Sequence, residues 1–387
     1  MRSTNVLLGA LALLASVSAA QAAPFMIVGD DAKADYDAAG KPVVNPTGKD
    51  AVLIVDLAKP EDPKIVATLP LENSIVGPPT NLAISPNGAI ALVADSITVT
   101  QDNGVNKAGP TNKLFVIDMK ATPPKLVDTL ELGKQPSGLS FSPNGTMALV
   151  CNRGDGSIAV LKIEGTKVTI TATIPISPGV SHVEFAPDGK HAYAVRSPDN
   201  RVAVLTIDGD KVTYDKATDI PTSLFPYNIV IAPNGKLALT ADNGGGGSSD
   251  GSMDMVSVID LESAHPHTIA RVNVEDAPEG LAMSPKGNIA VVVNVNGSNM
   301  PGAWFHKKTG SVTVLKIDGM KVTAIKTIQV GRLPESAMFS PDGRYIYVGN
   351  YLDNDFSILK VTGTDVVDTG KRFKVPGHPA SGRMGPG

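Results

Sequence analysis

The sequence is poor in several features that would otherwise announce a function. It has one cysteine in 387 residues, so it can form no internal disulfide, no thiolate zinc site and no Cys-x-x-Cys-His haem attachment. Cys151 itself falls in the apolar run Met147–Cys151 and reads as a buried, inert thiol. Aromatic residues make up 4% of the chain, with a single tryptophan. There is no basic excess: 34 Lys and Arg face 38 Asp and Glu, and the pI is 5.9. Neutralising nucleic-acid phosphates needs clustered cations, so no nucleic-acid partner is expected. Beyond the N-terminus no stretch reaches the roughly 18 apolar residues of a membrane span. With 42% hydrophobic residues, the chain is not of the disordered class either.

The N-terminus reads as an address. Arg2 precedes the apolar run Val6–Ala15, and Ala20-Gln21-Ala22 supplies a small-x-small cleavage site. Residues 1–22 are therefore expected to be a secretory signal peptide, placing the mature protein (23–387, one domain) in the periplasm or outside the cell, with no span after cleavage.

What the chain has in abundance is turn residues, 38 Gly and 30 Pro, and they recur in order. One turn appears six times: Ser85-Pro-Asn-Gly88, Ser142-Pro-Asn-Gly145, Ala186-Pro-Asp-Gly189, Ala232-Pro-Asn-Gly235, Ser284-Pro-Lys-Gly287 and Ser340-Pro-Asp-Gly343. Pro at the second place presets φ and Gly at the fourth accepts a positive φ. Alternating apolar residues flank each turn, so each reads as strand, turn, strand, and two more short strands follow. A period of about fifty residues over the mature length gives about seven four-stranded units. The seventh is assembled from both ends, with Gly377–Gly382 as its innermost strand and Phe25–Val28, Ala51–Val55 and Ile65–Thr68 as the others. The expected fold is all-β, a seven-bladed propeller closed by its own termini, which removes exposed sheet edges.

The second strand of each unit ends alike: Leu149-Val-Cys-Asn152, Tyr193-Ala-Val-Arg196, Leu239-Thr-Ala-Asp242, Val291-Val-Val-Asn294 and Tyr347-Val-Gly-Asn350. With the turns, this resembles the Tyr-Val-Thr-Asn (YVTN) β-propellers, which overlap the lactonase-like seven-bladed propellers. The resemblance spans nearly all of the mature chain. It implies the fold but leaves several activities open: lactone hydrolysis, cycloisomerisation, or service as a subunit of a periplasmic redox enzyme. It places no catalytic motif on particular residues.

Antiparallel alternation puts the six turns on one face and the insertions Asp30–Gly48, Asp95–Thr111, Asp242–Asp254 and Asn294–Thr309 on the other, all read here as loops. A site is expected on that second face. Innermost strands starting at Asn81, Gly138, His182, Asn228, Gly280, Ser336 and Ser381 should ring the channel mouth, with Tyr227, Glu279 and Glu335 one step earlier. His182 with Glu279 or Glu335 has the chemistry to activate a water. Arg153 and Arg196 have the chemistry to grip a carboxylate, and Asn81, Tyr227, Asn228 and Asn350 to bind a polar ligand. Solvated charges and loop caps would look the same. Asp30, Asp31, Asp35 and Asp37 form an oxygen-rich stretch that reads as a solvated acidic loop, with Ca²⁺ as the alternative, and no metal or other cofactor is expected. Trp304 and Phe305 stand in an insertion too long for a hairpin turn, and read either as a lid or partner contact or as packing of that loop onto its own blade. The first functional reading is a periplasmic binding or scaffold protein for a small anionic ligand or a protein partner. The second is a metal-independent lactonase or cycloisomerase at the channel mouth, and the third a propeller subunit of a redox complex.

Overall fold

A computed structural model describes residues 24–73, 77–245 and 248–386. The expected signal peptide and its cleavage site lie outside the described residues. Seven four-stranded antiparallel sheets stand around an axis. Blade 1 runs outward from His378–Met384 through Phe25–Asp31 and Ala51–Asp56 to Lys64–Leu69, so the C-terminal strand is innermost and pairs with the N-terminal one, Met26 opposite Met384. Blades 2 to 7 then follow in chain order from Leu82, Pro136, Val180, Pro226, Pro278 and Pro334.

The period-two pattern explains the packing. In blade 3, Ala148 and Val150 join a cluster with Leu92 and Leu114 of blade 2, whereas Met147, Leu149 and Cys151 meet Val183 and Phe185 of blade 4. Successive side chains thus serve opposite faces of one sheet. Each fully buried Leu or Val contributes roughly 1.5–3 kcal/mol, so a core built on aliphatic side chains needs neither disulfides nor many aromatics. The outermost strands, such as Lys125–Glu131 and Lys321–Gln329, are exposed and charged, which discourages edge-to-edge pairing.

The repeated turns form as expected. In each, the Gly amide donates to the carbonyl of the first residue at 2.8–3.0 Å, and every Gly has φ between 64° and 73°. They also touch one another. The missing Cβ of Gly145 faces Pro86 of the preceding blade, and Gly189, Gly235, Gly287 and Gly343 face Pro143, Pro187, Pro233 and Pro285 in the same way. Gly88 faces Pro386, so the C-terminal tail fills the seventh place in this ring.

Two insertions read as loops are ordered strands instead. Asp95–Thr111 belongs to a long hairpin, Ile90–Asp102 paired with Val105–Asp118. Its turn is Asn103-Gly104, with φ of 49° and 79°, the left-handed pair that two-residue hairpins favour. Within Asp30–Gly48, Ala34–Tyr36 pairs with Pro42–Val44.

Candidate functional site at the channel mouth

The mouth on the insertion face is built by a device repeated in five blades. The first residue of the innermost strand pairs with the last residue of the second: Pro136 with Asn152, Val180 with Arg196, Pro226 with Asp242, Pro278 with Asn294 and Pro334 with Asn350. Immediately after, the register slips by a bulge. Bulges release side chains from the ladder and re-aim them. Here the released residues are Ser137, Ser181, Tyr227, Glu279 and Glu335. The residue ahead of the strand is left-handed each time, Gln135, Gly179, Phe225, Ala277 and Leu333, four of them without the freedom of glycine. Such strain persists only where surrounding structure enforces it, and it clusters at functional sites.

The result is a cavity of about 260 Å³ lined by Tyr36, Asn81, Tyr227, Glu279, Glu335 and Tyr351, among others. Glu279 and Glu335 come from neighbouring innermost strands that approach closely: a Cβ on Gly280 would collide with the carbonyl oxygen of Glu335. Glu279 is 7% exposed and accepts from Asn243 Nδ2 at 3.1 Å, while its Oε2 has no hydrogen-bond partner. Burial pushes the Glu279 carboxyl well above the usual range, and the Glu335 charge beside it pushes the same way. Burial also lifts Glu335 to about 8. Burial disfavours the charge on each carboxyl and the charge of one disfavours that of the other, so the pair resists double ionisation and retains protons at neutral pH.

Arg153 is half-buried and, among the described residues, forms no ion pair, yet its charge acts on both Glu279 and Tyr227. Its guanidinium lies near Gly77 at the cavity wall. The phenols of Tyr36, Tyr227 and Tyr351 are all held protonated by burial, Tyr36 to about 12.

The small hairpin roofs this cavity. Tyr36 projects from it towards Glu335 and Glu279 and is hydrogen-bonded by the Asn299 side chain. Gly40 (φ 76°) abuts the Asn299 carbonyl and Pro301 of blade 6, and Asn106 Nδ2 of the blade 2 hairpin donates to the Val44 carbonyl at 3.0 Å. At the hairpin's base Lys33 is fully buried. Its Nζ meets Asp50 at 2.9 Å, Asp95 at 3.1 Å and Glu72 at 3.2 Å, and donates to the Asn73 carbonyl. Tyr351 donates to Asp31 and to the Ala34 carbonyl, and His378 stacks on its ring with centroids 4.4 Å apart. Tyr36 and Tyr351 were not among the residues singled out from the sequence.

The other candidates are dispersed. His182 is 1% exposed but does not line the cavity; its Nε2 lies 3.4 Å from Glu184 Oε2, further down the channel. Arg196 is spent on structure: its guanidinium binds Asp219, Asp199, Ser177 and Tyr214, leaving no arm for a ligand carboxylate. Asn350 clasps its own blade, donating to Asp355 and Ser357 and accepting from the Gly331 amide. Asn81 lines the cavity while its amide donates to the Ala94 carbonyl, and Asn228 is buried beside His182's strand with Oδ1 unpaired. Trp304 is 88% exposed on the rim, whereas Phe305 fits against Gly251 and Gly297 and anchors the loop. Asp30 and Asp31 turn inward to the Gly377 amide and to the Lys33 amide with Tyr351, while Asp37 caps its own exposed turn. Among the described residues no three His, Cys, Asp or Glu side chains converge to hold a metal.

Residues 77–315, more than half of the chain, match the family described as lactonase, seven-bladed β-propeller. No curated protein matches. Among solved structures, a putative 6-phosphogluconolactonase of Bacteroides fragilis superposes with a TM-score of 0.69 at 17% identity, covering 95% of this chain and 99% of that one. The periplasmic gluconolactonase of Pseudomonas aeruginosa gives 0.67 at 17%, covering 93% and 98%. Hydrazine synthase of Kuenenia stuttgartiensis gives 0.60 at 18%, covering 80% and 90%. At such identities the likeness is one of fold, and the fold serves unrelated chemistries.

Proposed function

The chain belongs to the seven-bladed β-propeller lactonases, and from that premise we propose that it hydrolyses a small, polar lactone at the roofed channel mouth. The coupled carboxyls of Glu279 and Glu335 carry this reading. Once the pair has given up one of its protons, it contains both a base and an acid. The ionised member takes a proton from the attacking water as oxygen bonds to the lactone carbonyl carbon. The protonated member gives its proton to the ring oxygen as the acyl C–O bond breaks. The phenols of Tyr36 and Tyr227 offer donors to the carbonyl oxygen and substrate hydroxyls. Arg153, free of an internal carboxylate, suits an anionic substituent such as a phosphate or carboxylate.

The names of two structural neighbours, a putative 6-phosphogluconolactonase and a periplasmic gluconolactonase, favour sugar-derived lactones as the class to try first. The signal-like N-terminus supports export, so we place the activity in the periplasm.

The test is acid release from gluconolactone and its 6-phosphate by the purified protein. Glu279→Gln and Glu335→Gln should each lower kcat by about 100-fold or more. Arg153→Ala should raise KM for the phosphorylated substrate while leaving the neutral one little changed. Release no faster than spontaneous hydrolysis on every lactone would refute the proposal.

A further inference from the structure

Among the described residues, each of the seven blades has, in or just before its innermost strand, a buried polar atom that no protein group hydrogen-bonds. They are Ser381 Oγ, Thr80 Oγ1, Ser137 Oγ, His182 Nδ1, Asn228 Oδ1, Glu279 Oε2 and Ser336 Oγ, in blade order. All seven residues are at most 7% exposed. A buried polar atom without a partner costs about 1–3 kcal/mol, and a polar interior of this kind is normally satisfied by bound water. The set lies between two openings. Above is the cavity of Glu279 and Glu335. Below, on the turn face, a second cavity of about 270 Å³ is lined by Glu184, Arg383, Met283, Met338 and neighbours. The strand Val180–Phe185 joins them, with Ser181 bonded at its upper end to the Tyr227 carbonyl and Glu184 open to the lower cavity.

We propose that the axis carries a file of water along which His182 relays protons between the Glu279/Glu335 pair and the opposite mouth. The inference rests on the lactonase reading and extends it. Through one turnover the carboxyl pair exchanges its proton internally, gaining one from water and giving one to the ring oxygen. The newly formed carboxylic acid then loses a proton, and that proton needs a way out of the site. His182 is placed for it: Nδ1 is unpaired and can accept, and Nε2 can donate to Glu184, whose carboxylate borders the lower opening. Burial keeps the ring neutral at rest; Glu184 on its own strand opposes that effect, and Arg383 of the C-terminal strand reinforces it. The backbone of Ile229 in blade 5 hydrogen-bonds the ring and favours its charged form, and Gly138 of blade 3 backs it with no side chain. A relay group of this kind is a positioning residue for protons, not a contact to substrate.

The measurement is steady-state kinetics of His182→Ala and His182→Gln on whichever lactone the wild type turns over best. Loss of a proton-transfer group costs about tenfold or more. Both variants should therefore lose at least about tenfold in kcat with KM unchanged, and imidazole in the buffer should restore His182→Ala in a saturable way. Glu184→Gln should show a smaller loss of the same kind. Independently of turnover, the His182 ring nitrogens should shift in NMR as the carboxyl pair titrates, and cease to do so in Glu335→Gln. A kcat left intact in both His182 variants would overturn the relay and leave the lactonase reading standing. So would a loss seen mainly in KM and indifferent to imidazole. A wild type without turnover refutes the lactonase reading; the relay would then fail as well if the ring nitrogens ignored the pair's titration.

Discussion

At Gly280 the site depends on an atom that is missing. Any β-carbon there would meet the carbonyl oxygen of Glu335, so the two acid-bearing strands could not keep their separation. Gly280→Ala is expected to destabilise the fold by about 1–3 kcal/mol through overpacking. Because the displaced atom belongs to Glu335, it should also reduce turnover more than its loss of stability explains. Thermal unfolding and kinetics on one preparation check this, and a variant with wild-type kcat would show that the pair tolerates the shift. Residue identity alone was a poor guide elsewhere at this scale. Arg196 looked as available as Arg153, but Asp199 three residues on and Asp219 across the blade claim it. Among the described residues Arg153 forms no such ion pair. That difference lies in contacts between residues up to 23 apart, which no local pattern announces.

Among the elements, the repeated end of the second strand is a clasp. Asn152 donates to Ser157, Asn294 to Ser311 and Thr313, and Asn350 to Asp355 and Ser357, each tying the second strand to the start of the third. Blade 5 has Asp242 instead, accepting from Thr240 and Ser257. Burial lifts this carboxyl to about 7. The native state therefore holds the proton to higher pH than the unfolded chain, whose carboxyl titrates near 3.9. Its contribution to stability is retained below about pH 4 and lost as the pH rises towards 7. In Asp242→Asn an amide would donate to Ser257 as its counterparts do in the other blades. Its unfolding free energy should match wild type near pH 4 and exceed it by about 2–4 kcal/mol at pH 8. Denaturant titrations at the two pH values decide it, and a difference independent of pH would contradict the assignment. The clasp and the Ser-Pro-Asx-Gly turns were legible because their signals are local and repeated. The long hairpin was missed although Asn103-Gly104 is a strong turn signal, because the polar composition around it reads as a loop. The roof hairpin was missed as well, because three-residue strands carry too little periodicity to register.

The whole molecule is held by closure. The repeat spacing predicted seven units and a blade shared between the termini, and both are present. Residues 378–386 supply the innermost strand of blade 1, pair with Phe25–Asp31, and place Pro386 against Gly88. Ending the chain after Lys374 should expose the Phe25–Asp31 edge and open the channel wall. Wild-type protein should unfold in one cooperative transition, whereas the shortened chain should lose that transition or become insoluble. An unchanged melting temperature would show that closure contributes little. Closure is also what brings residues from Tyr36 to Tyr351 into one cavity, which explains why the fold could be read from sequence more fully than the site.

The central claim is that Glu279 and Glu335 share a proton and use it on a lactone. It is tested most directly by the pH dependence of kcat/KM, corrected for spontaneous hydrolysis, in wild type and in Glu335→Gln. A shared proton predicts a bell whose acid limb marks loss of the first proton and whose alkaline limb marks loss of the last, and a variant with a much lower rate and only one limb. A profile that keeps the same shape and height in the variant would contradict the account.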